Sequence, residues 1–144
     1  MSAHLKWSQA FPLFESDHHR PLIGRPGVYR IRAFTSHGTP RKIRRMAGTD
    51  RDGILHIGKS GNLGKRIRHC RQSAEGIRGG HHAGREYFEW GFDRLVPRKL
   101  LRYDYVVTRT EKQALALERR LHEDYRRQFL DRPPLDSTSG QNRL

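Results

Sequence analysis

Alternating hydrophobic and polar positions predict three β-strands in this chain. The first run, residues 28–34, follows a Pro26-Gly27 turn, the second covers 54–57 and closes at Gly58, and the third covers 101–108. One face of each strand is apolar, as in Tyr29, Ile31 and Ala33 of the first run and Leu101, Tyr103, Tyr105 and Val107 of the third. Such alternation is typical of strands packed on a core.

Two other stretches have the three- to four-residue period of an amphipathic helix. Asn62 is expected to cap the first helix, which should end near Gly76 or at Gly79-Gly80. Thr110 is expected to cap the second helix, over residues 111–129. The apolar stripes are Leu63, Ile67 and Cys70 in the first helix, and Ala114, Leu121 and Tyr125 in the second. A short helix within 82–92 is a further possibility.

These elements predict a single α+β domain spanning residues 1–144. We expect a small three-stranded, mainly antiparallel sheet flanked by helices. An N-terminal arm, residues 1–24, lacks a clear period, and residues 137–144 form a polar C-terminal tail. A long basic insertion, residues 35–53, separates the first two strands, with room for a short extra strand.

The charge of the chain points to a polyanionic partner. Twenty-nine Lys and Arg residues against fifteen Asp and Glu give a net charge of +14, and 31% of residues are charged. Such a surplus attracts phosphates, so nucleic acid, with DNA first, is the expected partner. No basic amphipathic helix has a strong apolar face, which disfavours a membrane. With one cysteine and no secretory or membrane-spanning stretch, we expect a soluble cytoplasmic protein.

Basic residues of the insertion are candidate phosphate contacts. They are Arg41, Lys42, Arg44 and Arg45, and a solvated charge run explains them nearly as well. Lys65, His69 and His82 are further candidate nucleic-acid-binding residues.

Four side chains are candidates for catalysis. Glu118 falls on the apolar stripe of the second helix, where a buried carboxylate needs a cation or several donors. Arg66 lies near the stripe of the first helix, and a guanidinium can bind two phosphate oxygens. Tyr29 and His56 lie on neighbouring predicted strands. Each has an ordinary alternative: a solvated or salt-bridged glutamate, a surface arginine, a core tyrosine and a structural histidine.

Taken together and in this order, the motifs resemble the GIY-YIG nuclease family over most of the chain after residue 26. Gly27-Val28-Tyr29 is similar to the first signature, and His56-Ile57-Gly58 to the second, with His in place of its usual Tyr. Residues 58–66 resemble the turn-and-helix segment that follows. Residues 111–118 resemble the glutamate helix, and residues 79–82 a histidine segment of some members.

The resemblance implies a metal-dependent endonuclease. Arg66 matches the catalytic arginine, and Glu118 matches the carboxylate that binds one Mg²⁺ or Mn²⁺. Tyr29 or His56 would then accept a proton from the attacking water, with Lys59 nearby to lower the pKa of a tyrosine. The chain departs from the family pattern at Asp136, where Asn is usual, and in its longer insertion.

Other functional classes stay open. The same fold with altered catalytic positions would be a nucleic-acid-binding module. In either case no second DNA-recognition domain is evident, so we expect target selection to come from the insertion, a dimer or a partner protein. Nine histidines also raise a zinc site, but the His18-His19 and His81-His82 pairs are adjacent and there is no Cys-x-x-Cys motif.

Overall fold

The computed structural model describes residues 5–14, 17–77 and 80–136. The whole of the expected polar tail (residues 137–144), residues 1–4 and 15–16 of the arm, and residues 78–79 lie outside this part of the chain. The strands are β1 (Phe11–Pro12), β2 (Gly27–Ala33), β3 (Ile43–Arg45), β4 (Gly48–Asp50), β5 (Ile54–Ser60) and β6 (Leu101–Val107). The helices are α1 (Leu63–Ala74), α2 (His82–Glu89) and α3 (Glu111–Phe129).

The main sheet is antiparallel and has four strands in the order β1-β6-β2-β5. The predicted α+β class is therefore confirmed, but the predicted strand count is too low. The additional strand comes from the N-terminal arm, where Phe11 pairs with Tyr103 and Pro12 with Arg102. Two residues are too few to show an alternating pattern, so β1 could not be recognised from the sequence.

Helices cover both faces of this sheet. Tyr29, Ile31 and Ala33 of β2 belong to a core that also contains the buried residues of α1 and α2. Val28 of β2 and Ile57 of β5 belong to a second core, whose other members come mainly from α3. Strand β2 is thus buried on both sides, with α1 and α2 on one face and α3 on the other.

Side-chain caps begin the two long helices where the sequence predicts them. The Asn62 side chain accepts a hydrogen bond from the Lys65 N–H, and the Thr110 side chain accepts one from the Gln113 N–H. Helix α2 confirms the short helix considered within 82–92. The predicted end of the second strand at Gly58 is too early, because Lys59 and Ser60 continue β5 and pair with the start of β2.

The basic insertion contains a hairpin formed by β3 and β4. Two contacts hold this hairpin on the end of α3. The Ala47 N–H donates to the Phe129 carbonyl at 2.9 Å, and Arg45 pairs with Asp131 at 2.8 Å. Within the described ranges, no helix has the length and apolar character needed to cross a bilayer.

Candidate active site

One pocket of about 370 Å³ brings together all five predicted catalytic residues. Its lining consists of Tyr29, His56, Gly58, Lys59, Ser60, Arg66, Glu111, Leu115 and Glu118. These residues come from β2, β5, α1 and α3, so the pocket depends on the tertiary fold. In particular, Arg66 on α1 and Glu118 on α3 reach the same cavity although they are far apart in sequence.

Strand register places the aromatic part of the site. Tyr29 of β2 lies opposite Gly58 of β5, and His56 lies two residues before Gly58 on the same face. A Cβ atom at Gly58 would lie 2.7 Å from both the Tyr29 hydroxyl oxygen and His56 Nε2. The glycine therefore leaves the space in which the phenol and the imidazole meet.

Buried hydrogen bonds join four side chains behind this pocket. The Tyr29 hydroxyl lies 3.1 Å from His56 Nε2 and 2.6 Å from His81 Nε2. On its other side, His56 Nδ1 lies 2.5 Å from Asp136 Oδ1. Asp136 Oδ2 accepts a hydrogen bond from the Ile57 N–H at 3.0 Å. Tyr29 is thus held between two imidazoles, and one of these is held by a carboxylate.

Burial changes the protonation behaviour of this cluster. It raises the pKa of Tyr29 well above its ordinary value, with the nearby Arg66 guanidinium acting in the opposite direction. It lowers the pKa of His81 well below 6.5, and the neighbouring His56 and Arg66 lower it further. Burial also raises the pKa of the Cys70 thiol to about 12. Tyr29, His81 and Cys70 are therefore neutral near pH 7.

Lys59 has a different environment from the one expected. Because side chains alternate along a strand, Lys59 points away from the face that carries His56 and Gly58. Its ammonium donates to Glu111 Oε2 at 2.9 Å, at the first turn of α3. The cation that lowers the pKa of Tyr29 is Arg66. Lys59 instead ties the end of β5 to α3.

Glu118 is the candidate metal ligand of the pocket. It is partly buried and lies on α3, seven residues after Glu111. Among residues 5–14, 17–77 and 80–136, no group of three or more His, Cys, Asp or Glu side chains could hold a metal ion. The other carboxylate that lines the pocket, Glu111, pairs with Lys59. One further carboxylate in an open polar pocket fits Mg²⁺ or Mn²⁺, which keep waters and take oxygens from a substrate. It does not fit a zinc cage.

The candidate nucleic-acid contacts differ in their exposure and in their contacts within the protein. Lys42, Arg44 and Lys65 are exposed. Two residues of the basic run are engaged within the protein, since Arg41 donates to the Leu95 carbonyl at 3.1 Å and Arg45 pairs with Asp131. His69 and His82 are partly buried, and His82 lies 3.6 Å from a Glu86 oxygen. None of these seven residues lines the pocket.

Three residues of the site were not predicted. His81, rather than the adjacent His82, faces Tyr29, because its side chain caps α2 by accepting the Gly84 N–H. Asp136 was noted only as a departure from the family pattern, and its place opposite His56 is a tertiary contact over eighty positions. Glu111 was read as part of a helix, and the only sequence signal for its role was its position at the first turn of α3.

Comparisons with known proteins give no relative for this chain. No family model matches it, and no curated protein and no solved structure matches it either.

Proposed function

We propose that this chain is a GIY-YIG-type endonuclease that hydrolyses phosphodiester bonds of nucleic acid, with DNA as the first candidate substrate. The observation that supports this proposal is the convergence of Tyr29, Arg66 and Glu118 on one cavity. A net charge of +14 gives the surrounding surface an attraction for phosphates.

The residues divide the work of hydrolysis among them. Glu118 would hold one Mg²⁺ or Mn²⁺ ion, which when bound stabilises negative charge on the leaving 3′ oxygen. Arg66 would bind the non-bridging oxygens of the phosphate and stabilise the charge that builds there. Tyr29 or His56 would accept the proton of the attacking water. The products would have 5′-phosphate and 3′-hydroxyl ends.

A cleavage assay tests this proposal. The purified chain is incubated with plasmid, branched DNA and RNA, with and without Mg²⁺ or Mn²⁺. We expect metal-dependent cutting by the wild-type chain and none by Glu118→Gln, because the amide removes the charge that would bind the ion. Glu123→Gln, an exposed position on the same helix, is the matched control and should cut normally.

Arg66→Ala separates catalysis from binding. Loss of one donor to the developing charge should lower kcat by about 10²–10³-fold. The Kd for the same substrate should change much less, since the chain has twenty-nine Lys and Arg residues to bind phosphates. Wild-type cutting by Glu118→Gln, or an Arg66→Ala effect confined to Kd, contradicts the site assignment.

A nucleic-acid-binding module without catalytic activity is the second candidate. The observation that favours it is the burial of Tyr29, which is 1% exposed and has a raised pKa, as expected for a core tyrosine. Tight binding of DNA by the wild-type chain without cutting in either metal would support this alternative.

A further inference from the structure

A backbone N–H determines which atom is the donor in the hydrogen bond between His81 and Tyr29. The Gly84 N–H donates to His81 Nδ1 at 3.1 Å, so this nitrogen is an acceptor and carries no proton. A neutral imidazole has one protonated nitrogen, which places the His81 proton on Nε2. Since His81 is completely buried, the neutral ring is favoured. The Nε2–H must then donate to the Tyr29 oxygen at 2.6 Å.

Asp136 fixes the other end. One carboxylate oxygen accepts the Ile57 N–H, and the other lies 2.5 Å from His56 Nδ1. An ionised carboxylate can only accept, so His56 carries its proton on Nδ1. Its Nε2 then has a lone pair directed at the Tyr29 hydroxyl, 3.1 Å away. The Tyr29 oxygen accepts from His81, and the proton of the same hydroxyl donates to the His56 lone pair.

We propose that Tyr29, His56 and Asp136 form a proton relay in which Tyr29 takes the proton of the attacking water while its own proton passes to His56 Nε2. His81 and Asp136 are positioning residues: His81 donates to the phenol oxygen, and Asp136 holds the His56 ring in its Nδ1–H tautomer. This inference rests on the proposed nuclease function. Tyr29 and His56, which were alternatives for the general base, become two successive members of one proton-transfer path.

Every bond and proton in the proposed step is accounted for. The water oxygen forms a bond to phosphorus, and the bond from phosphorus to the 3′ oxygen breaks. The water proton moves to the Tyr29 oxygen, the phenol proton moves to His56 Nε2, and the resulting imidazolium is stabilised by the Asp136 carboxylate. The 3′ oxygen takes a proton from solvent, and His56 later returns its proton to solvent.

The relay also explains how a tyrosine with a raised pKa can act at neutral pH. Burial disfavours a free phenolate at Tyr29. Transfer of the phenol proton to His56 in the same step avoids a long-lived anion. The His81 donor and the nearby Arg66 guanidinium then stabilise the negative charge that develops on the phenol oxygen.

The tautomers can be measured directly in the metal-free protein without substrate. Long-range ¹H–¹⁵N correlation spectra of the ¹⁵N-labelled chain distinguish the two ring nitrogens of each histidine. We expect the proton of His81 on Nε2 and that of His56 on Nδ1. The opposite tautomer at either ring overturns the relay.

Asp136→Asn tests the positioning role at one end. With its amide oxygen on the Ile57 N–H, the new side chain presents an N–H to His56 Nδ1, so the ring proton should move to Nε2. The ring could then no longer accept the Tyr29 proton. We expect kcat to fall by about 10⁴-fold with little change in KM, as the wrong tautomer does in a serine-protease triad. Asp124→Asn, the same change at a position on α3, should leave the rate and both tautomers unchanged.

His81→Asn tests the other end with the helix cap retained. Asparagine is a good N-cap residue and can still accept the Gly84 N–H, but it has no nitrogen in the place of Nε2. We expect folding to be preserved, as measured by circular dichroism, and kcat to fall by about 10²-fold. A folded His81→Asn variant that cuts at the wild-type rate removes His81 from the relay and contradicts the proposal.

The outcomes separate the relay from the nuclease function. If Asp136→Asn cuts at the wild-type rate while Glu118→Gln does not cut, the relay is wrong and the nuclease function stands. If the wild-type chain cuts no substrate, the nuclease function is wrong, and the catalytic use of the relay is wrong with it.

Discussion

At the scale of single residues, Gly58 controls the geometry of the candidate site. The phenol of Tyr29 and the ring of His56 occupy the space that a side chain at position 58 would need. Glycine at this position is therefore explained by a close approach of two side chains. The glycine that follows Ile57 thus has a structural explanation in the contacts of this site.

Gly58→Ala should damage the site more than the fold. The added methyl would force Tyr29 and His56 apart, since its Cβ would lie 2.7 Å from both polar atoms. Overpacking of this kind costs about 1–3 kcal/mol. We expect cleavage to fall by at least tenfold, together with a lower urea midpoint. Gly80→Ala, where a Cβ meets nothing within 4 Å, is the control, and equal losses in both variants would contradict this explanation.

The sequence could predict the side chains of the pocket but not the hydrogen bonds between them. Tyr29, His56, Arg66 and Glu118 were identified by motif order and helical spacing. The partners His81 and Asp136 could not be assigned in the same way. Their roles depend on which ring nitrogen faces which atom, and that is decided by tertiary contacts such as the Gly84 cap.

At the scale of elements, the basic run that leads into the β3–β4 hairpin contains both cations engaged within the protein and exposed cations. Arg41 and Arg45 are bound to the Leu95 carbonyl and to Asp131, whereas Lys42 and Arg44 are exposed. A run of basic residues that reads as uniform in the sequence therefore has two kinds of members. Only the exposed pair is available to a phosphate without loss of an existing contact.

Removal of the exposed pair should change the salt dependence of binding. If Lys42 and Arg44 each contact one phosphate, the double Gln variant should lower the slope of log K against log salt by about two units. Arg45→Gln should instead lower the unfolding midpoint, because it breaks the pair with Asp131. Titrations of labelled DNA at several salt concentrations measure the slope, and an unchanged slope would exclude the hairpin from the interface.

Element boundaries were predictable where a local signal exists. The Asn62 and Thr110 caps mark the starts of α1 and α3. The end of β5 was not predictable, because Lys59-Ser60-Gly61 resembles a turn until the partner strand is known. Pairing with Gly27 and Val28 extends the strand, and it is this tertiary pairing that directs Lys59 toward α3.

At the scale of the whole molecule, one buried ion cluster joins the central strands. Asp104 of β6 is 1% exposed and pairs with Arg30 at 2.6 Å and with Arg32 at 2.9 Å, both on β2. Arg30 also lies over the Trp7 ring, 3.8 Å from its centroid, so the N-terminal arm covers this cluster. In a chain of net charge +14, this carboxylate compensates two cations that are largely removed from water.

Asp104→Ala should reduce the stability of the whole domain. It would leave two guanidiniums without their carboxylate, and breaking a buried pair in this way costs about 3–5 kcal/mol. We expect a correspondingly lower free energy of unfolding in urea. Asp93→Ala, at an exposed position, should have almost no effect. A loss below about 1 kcal/mol for Asp104→Ala would show that solvent already screens the cluster.

Asp136 also contacts the outer backbone edge of strand β5. Strand β5 forms one side of the main sheet, so its outer backbone groups could pair with a strand of a second molecule. At Ile57 both groups are occupied, the N–H by Asp136 and the carbonyl by His122 at 3.0 Å. The carboxylate to which the relay assigns the orientation of His56 therefore also occupies a backbone group that strand addition at Ile57 would need.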